Sequence, residues 1–137
     1  MTLFTFHTNY DKLINETKLQ SLRYNADYWI NRLAKNNKLD IWWRNPRNQQ
    51  PDCKKLGIAR GTATPLYGHE FTETTARDDG YDSMSELFEV LTELHNMTRE
   101  DILKHRWAKV QWFWVERYWL TTAHTTTTVQ ATFQELE

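Results

Sequence analysis

A chain of 137 residues is the size of one domain and buries about two-thirds of its extended surface on folding. A lone Cys53 excludes an internal disulfide, and no run approaches the roughly 18 apolar residues that a membrane span needs. The net charge of −1 argues against broad polyanion binding, although it averages a split: residues 18–60 hold ten Lys/Arg and three Asp/Glu, residues 61–137 six and thirteen.

The N-terminus, MTLFTFHTNYDK, has neither a basic n-region nor a long apolar stretch, so the expected address is the cytoplasm. Leu3–Phe6 reads as a short strand and Tyr10, Leu13 and Ile14 as an amphipathic turn of helix. KLQSLR, residues 18–23, follows as a strand. NADYWINRLAKN is a second short helix with Trp29, Ile30 and Leu33 on one side, and LDIWW is a strand that exits into the turn-rich RNPRNQQPD. CKKLGIARGTATPLYG is a long β-stretch whose Gly57 and Gly61 suit bulges or corners. Residues 71–80 form a helix stopped at Gly80, and Ser83 with Glu86 opens another as a capping box, with Met84, Leu87, Phe88 and Leu91 facing the core. Thr98 with Asp101 starts a further short helix. WAKVQWFWVERYW is the most strand-like segment, expected as an interior strand over Trp107–Trp119, and the tail beyond it is Thr-rich. Strands at both ends and in the middle, with helices clustered late, define an α+β mixed β-barrel with helices packed on one side.

The chemistry gathers first at residues 18–23. On a strand, Ser21 and Arg23 share a face, and Lys18 joins them only if the chain turns or bulges near Leu19. A hydroxyl, an amine and a guanidinium around one pocket are the parts of a nucleophile–base pair with a fixed cation; spacing alone favours the simpler reading, three polar residues on a half-exposed strand. Asp79 falls in the last turn of its helix, where the macrodipole disfavours an anion by about 0.3–1 kcal/mol, so it needs a cationic partner or is simply an exposed turn residue. Tyr24, Trp29, Trp42 and Trp43 are core aromatics or stacking surfaces for a base. Arg44 and Arg47 flank Pro46 and are placed to meet phosphate or solvent. The five His are scattered with neither a Cys/His cluster nor H-E-x-x-H, so no metal and no cofactor is expected.

K-x-x-S-x-R at Lys18–Arg23 resembles the K-x-x-T-x-R pattern that opens ASCH domains, a branch of the PUA-like β-barrels. The resemblance continues through Lys38–Trp43, Cys53–Ala59, Ala76–Tyr81, then Ser83, Glu86 and Leu87, and the Trp-rich closing segment, roughly residues 3–119. It implies a closed or nearly closed PUA-like barrel with short helices around it, an ASCH domain over residues 1–119, and a Thr-rich extension over 120–137 that continues a strand or hangs free. Some small bacterial members are amidohydrolases of N(4)-acetylcytidine that use a Lys, a Thr and a Glu. By position, Lys18 falls on that lysine, Ser21 on the Thr, Asp79 on the Glu, one methylene shorter, and Arg23 on the family's arginine. The resemblance therefore implies catalysis by Lys18, Ser21 and Asp79, with Arg23, Tyr24, Trp43, Arg44 and Arg47 binding substrate. The expected partner is a nucleoside or modified base, with RNA possible, for a monomer away from membranes. The alternatives are a non-catalytic RNA or modified-base module using the same cleft, or a ribonuclease.

Overall fold

The computed structural model describes residues 2–48 and 52–121. Most of the Thr-rich extension, from residue 122, and residues 49–51 of the turn-rich loop lie outside the described residues. Strand β1 (Thr2–Phe6) leads through helix α1 (Tyr10–Ile14) to β2 (Gln20–Arg23), then α2 (Ala26–Lys35), β3 (Lys38–Trp43) and the long β4 (Lys54–Tyr67). Three helices follow, α3 (Glu73–Asp78), α4 (Met84–His95) and α5 (Arg99–Lys104), before β5 (Arg106–Arg117) and a last turn, α6 (Tyr118–Thr121). The five strands form one mixed sheet in the order β1-β3-β4-β5-β2, with β1 and β3 parallel and the other pairs antiparallel. Among the described residues no helix is long and apolar enough to cross a membrane.

Bulges curl this sheet. The register shifts at Ile41/Trp42 between β3 and β4, and at Ile58/Ala59 between β4 and β5. Gly57 stands where both shifts meet, at φ +156, and a Cβ there would lie 2.0 Å from the Glu116 carbonyl oxygen. Only glycine allows that approach, which is how a long strand bends to serve two neighbours.

The curl stops short of closure. In place of the expected closed or nearly closed barrel there is a half-barrel, whose edge strands β1 and β2 share no ladder. The guanidinium of Arg23 spans the seam instead: Nη2 donates to the Thr5 carbonyl at 2.9 Å, and the group lies 4.0 Å from the Phe4 ring centroid. A side chain held between the strands occupies the space that backbone hydrogen bonds would require. β5 is interior as expected but ends at Arg117, because Tyr118 and Trp119 turn into α6.

Helices cover both faces of the sheet, not one side. Phe4, Leu39, Ile41, Val110 and Trp114 form one core with Leu13 of α1 and Leu33 of α2. Leu22 and Trp107 belong to the other, with Ala76, Leu87, Phe88 and Ile102 from α3, α4 and α5. The capping expectations hold in part. Ser83 accepts from the Glu86 amide at 3.1 Å, but the Glu86 carboxylate takes the Asp82 amide at 2.7 Å, so the reciprocal bond to Ser83 does not form. The Thr98–Asp101 box is complete.

Trp107 is the largest wholly buried side chain, and its indole N–H donates to the Ile102 carbonyl at 3.2 Å. Trp107→Ala should lower the unfolding free energy by about 3–5 kcal/mol. Urea denaturation followed by circular dichroism checks this.

Candidate functional site

Strand β2 places Ser21 and Arg23 on the inner, α1/α2-covered face, opposite Val110 and Ala108 in the β5 ladder. The Arg23 Nε donates to the Ser21 hydroxyl oxygen at 3.0 Å. A cation donating to that oxygen favours its alkoxide form and turns the hydroxyl proton away from the guanidinium. Ser21 itself is 8% exposed.

Lys18 reaches the same region from before the strand. The ladder begins only at Gln20, and the Leu19 amide bonds the Asp78 carbonyl at 2.7 Å, so the chain passes along the end of α3 before it enters the sheet. This detour removes the parity conflict and leaves Lys18 4% exposed. Its ammonium donates to the main-chain carbonyl of Asp79 and stands 3.8 Å from the Asp79 Oδ2. Aromatic rings complete its surroundings, Tyr81 at 5.7 Å and Phe6 at 5.8 Å.

Asp79 caps α3 and is 4% exposed. Its Oδ1 accepts the Leu22 amide at 2.9 Å, and Leu22 is the residue between Ser21 and Arg23. The carboxylate therefore joins the lysine to the strand that carries the hydroxyl. Gly80 follows at φ +99, where a Cβ would fall 2.9 Å from the Asn9 amide nitrogen and 3.5 Å from the Lys18 Cδ. Lys12 of α1 donates to the Gly80 carbonyl at 2.6 Å and closes the junction from the other side. Asp78, the neighbouring acid, is only half-buried and contributes its carbonyl.

Burial is the dominant influence on all three charges. Desolvation lowers the Lys18 pKa despite the opposing pull of Asp79, and raises that of Asp79 despite Lys18 and the Leu22 amide. Burial likewise brings Arg23 down to about 10, still protonated at neutral pH. Burial thus pushes the amine and the acid toward their neutral forms. Two cations face one anion, which leaves the interior positive and suited to a developing negative charge.

The remaining sequence-predicted residues disperse. Tyr24 packs on the opposite face, stacked 4.1 Å from His105 and edge-on to Trp107. Trp43 ends β3 against Tyr10, with the Arg44 guanidinium 5.8 Å from its ring centroid. Arg47 lies exposed in a 3-10 turn. The sequence reading missed Thr5, Phe6, Lys12 and Tyr81 at the site. Of these, only Tyr81 carried a signal, from its place directly after Asp79-Gly80. No family model matches this chain, and neither a curated protein nor a solved structure matches it.

Asp79→Asn removes the anion that favours the charged form of Lys18 and an acceptor of the Leu22 amide, and should cost up to about 3–5 kcal/mol. Asp79 raises the Lys18 pKa, so its loss lowers that pKa further below 10.5. A lysine with a depressed folded pKa binds fewer protons folded than unfolded, so stability is lost as pH falls through that value and regained toward 10.5. The variant should therefore gain stability more steeply than the native protein as pH rises toward 10.5. Adding Lys18→Met should restore most of the loss and flatten the profile. Urea titrations at several pH values check both.

Proposed function

We propose that this chain is an amidohydrolase that removes the acyl group from N(4)-acylated cytosine nucleosides such as N(4)-acetylcytidine. The observation that carries the reading is the Asp79 carboxylate, which holds buried Lys18 on one side and the Ser21–Leu22–Arg23 strand on the other. The ASCH resemblance assigns these same positions, and their convergence from segments 57 residues apart supports it.

In this reading the Ser21 oxygen attacks the amide carbonyl, and its proton passes to the neutral Lys18 amine. Arg23, fixed to that oxygen and to the Thr5 carbonyl, stabilises the oxyanion of the tetrahedral intermediate. The proton then goes to the exocyclic nitrogen, the C–N bond breaks, and cytidine leaves. Water attacks the acyl-serine, again with Lys18 as base, and releases the carboxylic acid. Asp79 orients Lys18 and exchanges a proton with it. Desolvation is the largest influence on Lys18 and opposes the attraction of Asp79 that would keep the lysine charged, which supports its use as a base. A parting of the β1–β2 seam, which Arg23 spans without a backbone ladder, would admit the substrate to these buried groups.

Ser21→Ala and Lys18→Ala should each abolish nearly all turnover of N(4)-acetylcytidine, read as cytidine by chromatography, with circular dichroism unchanged for Ser21→Ala and used to select conditions in which Lys18→Ala is folded. The double variant should be little worse than either, since both act in one proton-transfer unit. Arg23→Ala should cut turnover by about 10²–10³-fold. Asp79→Glu restores the longer acid and should retain activity. Turnover by Ser21→Ala at the native rate would remove Ser21 as nucleophile.

A further inference from the structure

Where Tyr10 and Trp43 pack against the inner core there is a cleft of about 470 Å³, lined by Tyr10, Trp43, Asp52, Cys53 and Lys54. That volume falls within the range of small-molecule sites. The Tyr10 and Trp43 rings meet at 73° with centroids 5.2 Å apart, forming a corner. The Lys54 ammonium stands 4.7 Å from the Tyr10 centroid and the Arg44 guanidinium 5.8 Å from that of Trp43. Aromatic faces beside two cations suit a planar ring that carries a negative charge. Asp52 is the one acid in the lining and lies exposed. A larger concavity along α4 is lined by Glu89 and Glu93 against the single cation Arg99, a net negative lining that suits such a ligand less.

The backbone around the cleft is held in an unusual state. Asn9, Arg44 and Asp52, each adjacent to a lining residue, all have left-handed φ values of 61–63°. Asn and Asp tolerate that region, but a long side chain such as Arg enters it rarely and is held there by its surroundings. Here the Arg44 amide donates to the Phe6 carbonyl at 2.8 Å. Phe6 also connects the cleft to the catalytic cluster. It pairs with Trp43 in the β1–β3 ladder, while its ring centroid lies 5.1 Å from the Arg23 guanidinium.

We propose that this cleft is a nucleotide subsite, with a base stacked on Trp43 and its phosphate at Lys54, so that the acylated cytosine is presented within an RNA strand. The placement of the cytosine rests on the amidohydrolase reading; the cleft's preference for a flanking nucleotide rests on its own geometry. A single nucleoside that reaches Ser21 leaves the Tyr10–Trp43 corner, one strand beyond Phe6, unfilled. A second nucleotide fills it and brings a phosphate to the cations.

Cys53, the only cysteine in the chain, is half-buried in the cleft wall and serves as a reporter. The rate of its alkylation by iodoacetamide is measured with cytidine, inorganic phosphate or the dinucleotide cytidylyl-(3′→5′)-adenosine present. The dinucleotide should slow alkylation at concentrations where cytidine and phosphate do not. Trp43→Ala should raise the dinucleotide concentration needed by about tenfold or more, the loss of one stacked base. Lys54→Ala should weaken the salt dependence of protection. An alkylation rate indifferent to the dinucleotide, or equal protection by phosphate alone, overturns the subsite. Turnover of N(4)-acetylcytidine by a protein whose Cys53 the dinucleotide does not protect removes the subsite alone, whereas protection by the dinucleotide without any turnover removes the amidohydrolase reading alone.

Discussion

A carboxylate buried at the end of a helix has two liabilities, loss of water and an unfavourable dipole, and Asp79 carries both. What makes it tolerable is a set of donors that must all arrive together. The Leu22 amide comes from β2 and the Lys18 ammonium from the segment before it. Further bonds fasten the two segments along their length: the Leu19 amide to the Asp78 carbonyl, the Gln20 side chain to the Thr75 carbonyl and Lys12 to the Gly80 carbonyl. This junction decides where α3 ends and where β2 starts. It therefore also decides which way Ser21 and Arg23 point, since a slip of one residue would exchange the two faces of the strand.

The same junction joins the two cores. Leu22 packs with Trp107 and the helices α3–α5, while its neighbours Ser21 and Arg23 turn toward the face covered by α1 and α2. One short strand thus presents apolar bulk to one side and chemistry to the other. The alternation is ordinary strand geometry. The unusual element is that the polar face is the interior of the curl, where its charges lack water and depend on one another.

Period and capping made most elements legible in the sequence. The alternation in LDIWW and WAKVQWFWVERYW, the Gly57 bulge and the Thr98–Asp101 box all needed only neighbours along the chain. The alternation could not show where β5 would stop. Tyr118 and Trp119 continue its aromatic pattern, yet Trp119 packs edge-on against Trp114 from a helical turn. Closure was illegible for a related reason: whether two edges pair depends on what lies between them, and here that is a side chain from one of the edges. At the site, Lys18 had the wrong parity for a strand, and only the hydrogen bond from Leu19 to a residue 59 positions away shows that it precedes the ladder. Tyr24 adjoins Arg23 in sequence and faces away from it in space, which is the cost of reading a binding residue from proximity along a strand.

The Arg23 seam has a consequence for how the molecule opens. β2 has a sheet neighbour on one side alone, a ladder of four residues to β5, and is otherwise held by side-chain bonds, the Asp79 carboxylate at the Leu22 amide and the Arg23 guanidinium at Thr5, whereas β4 is laddered along both edges. In native-state hydrogen exchange the amides of β2 would trade their protons well before those of β4 and the middle of β5. Each such opening would also let water reach the Lys18–Asp79 pair, which the closed strand keeps almost wholly buried.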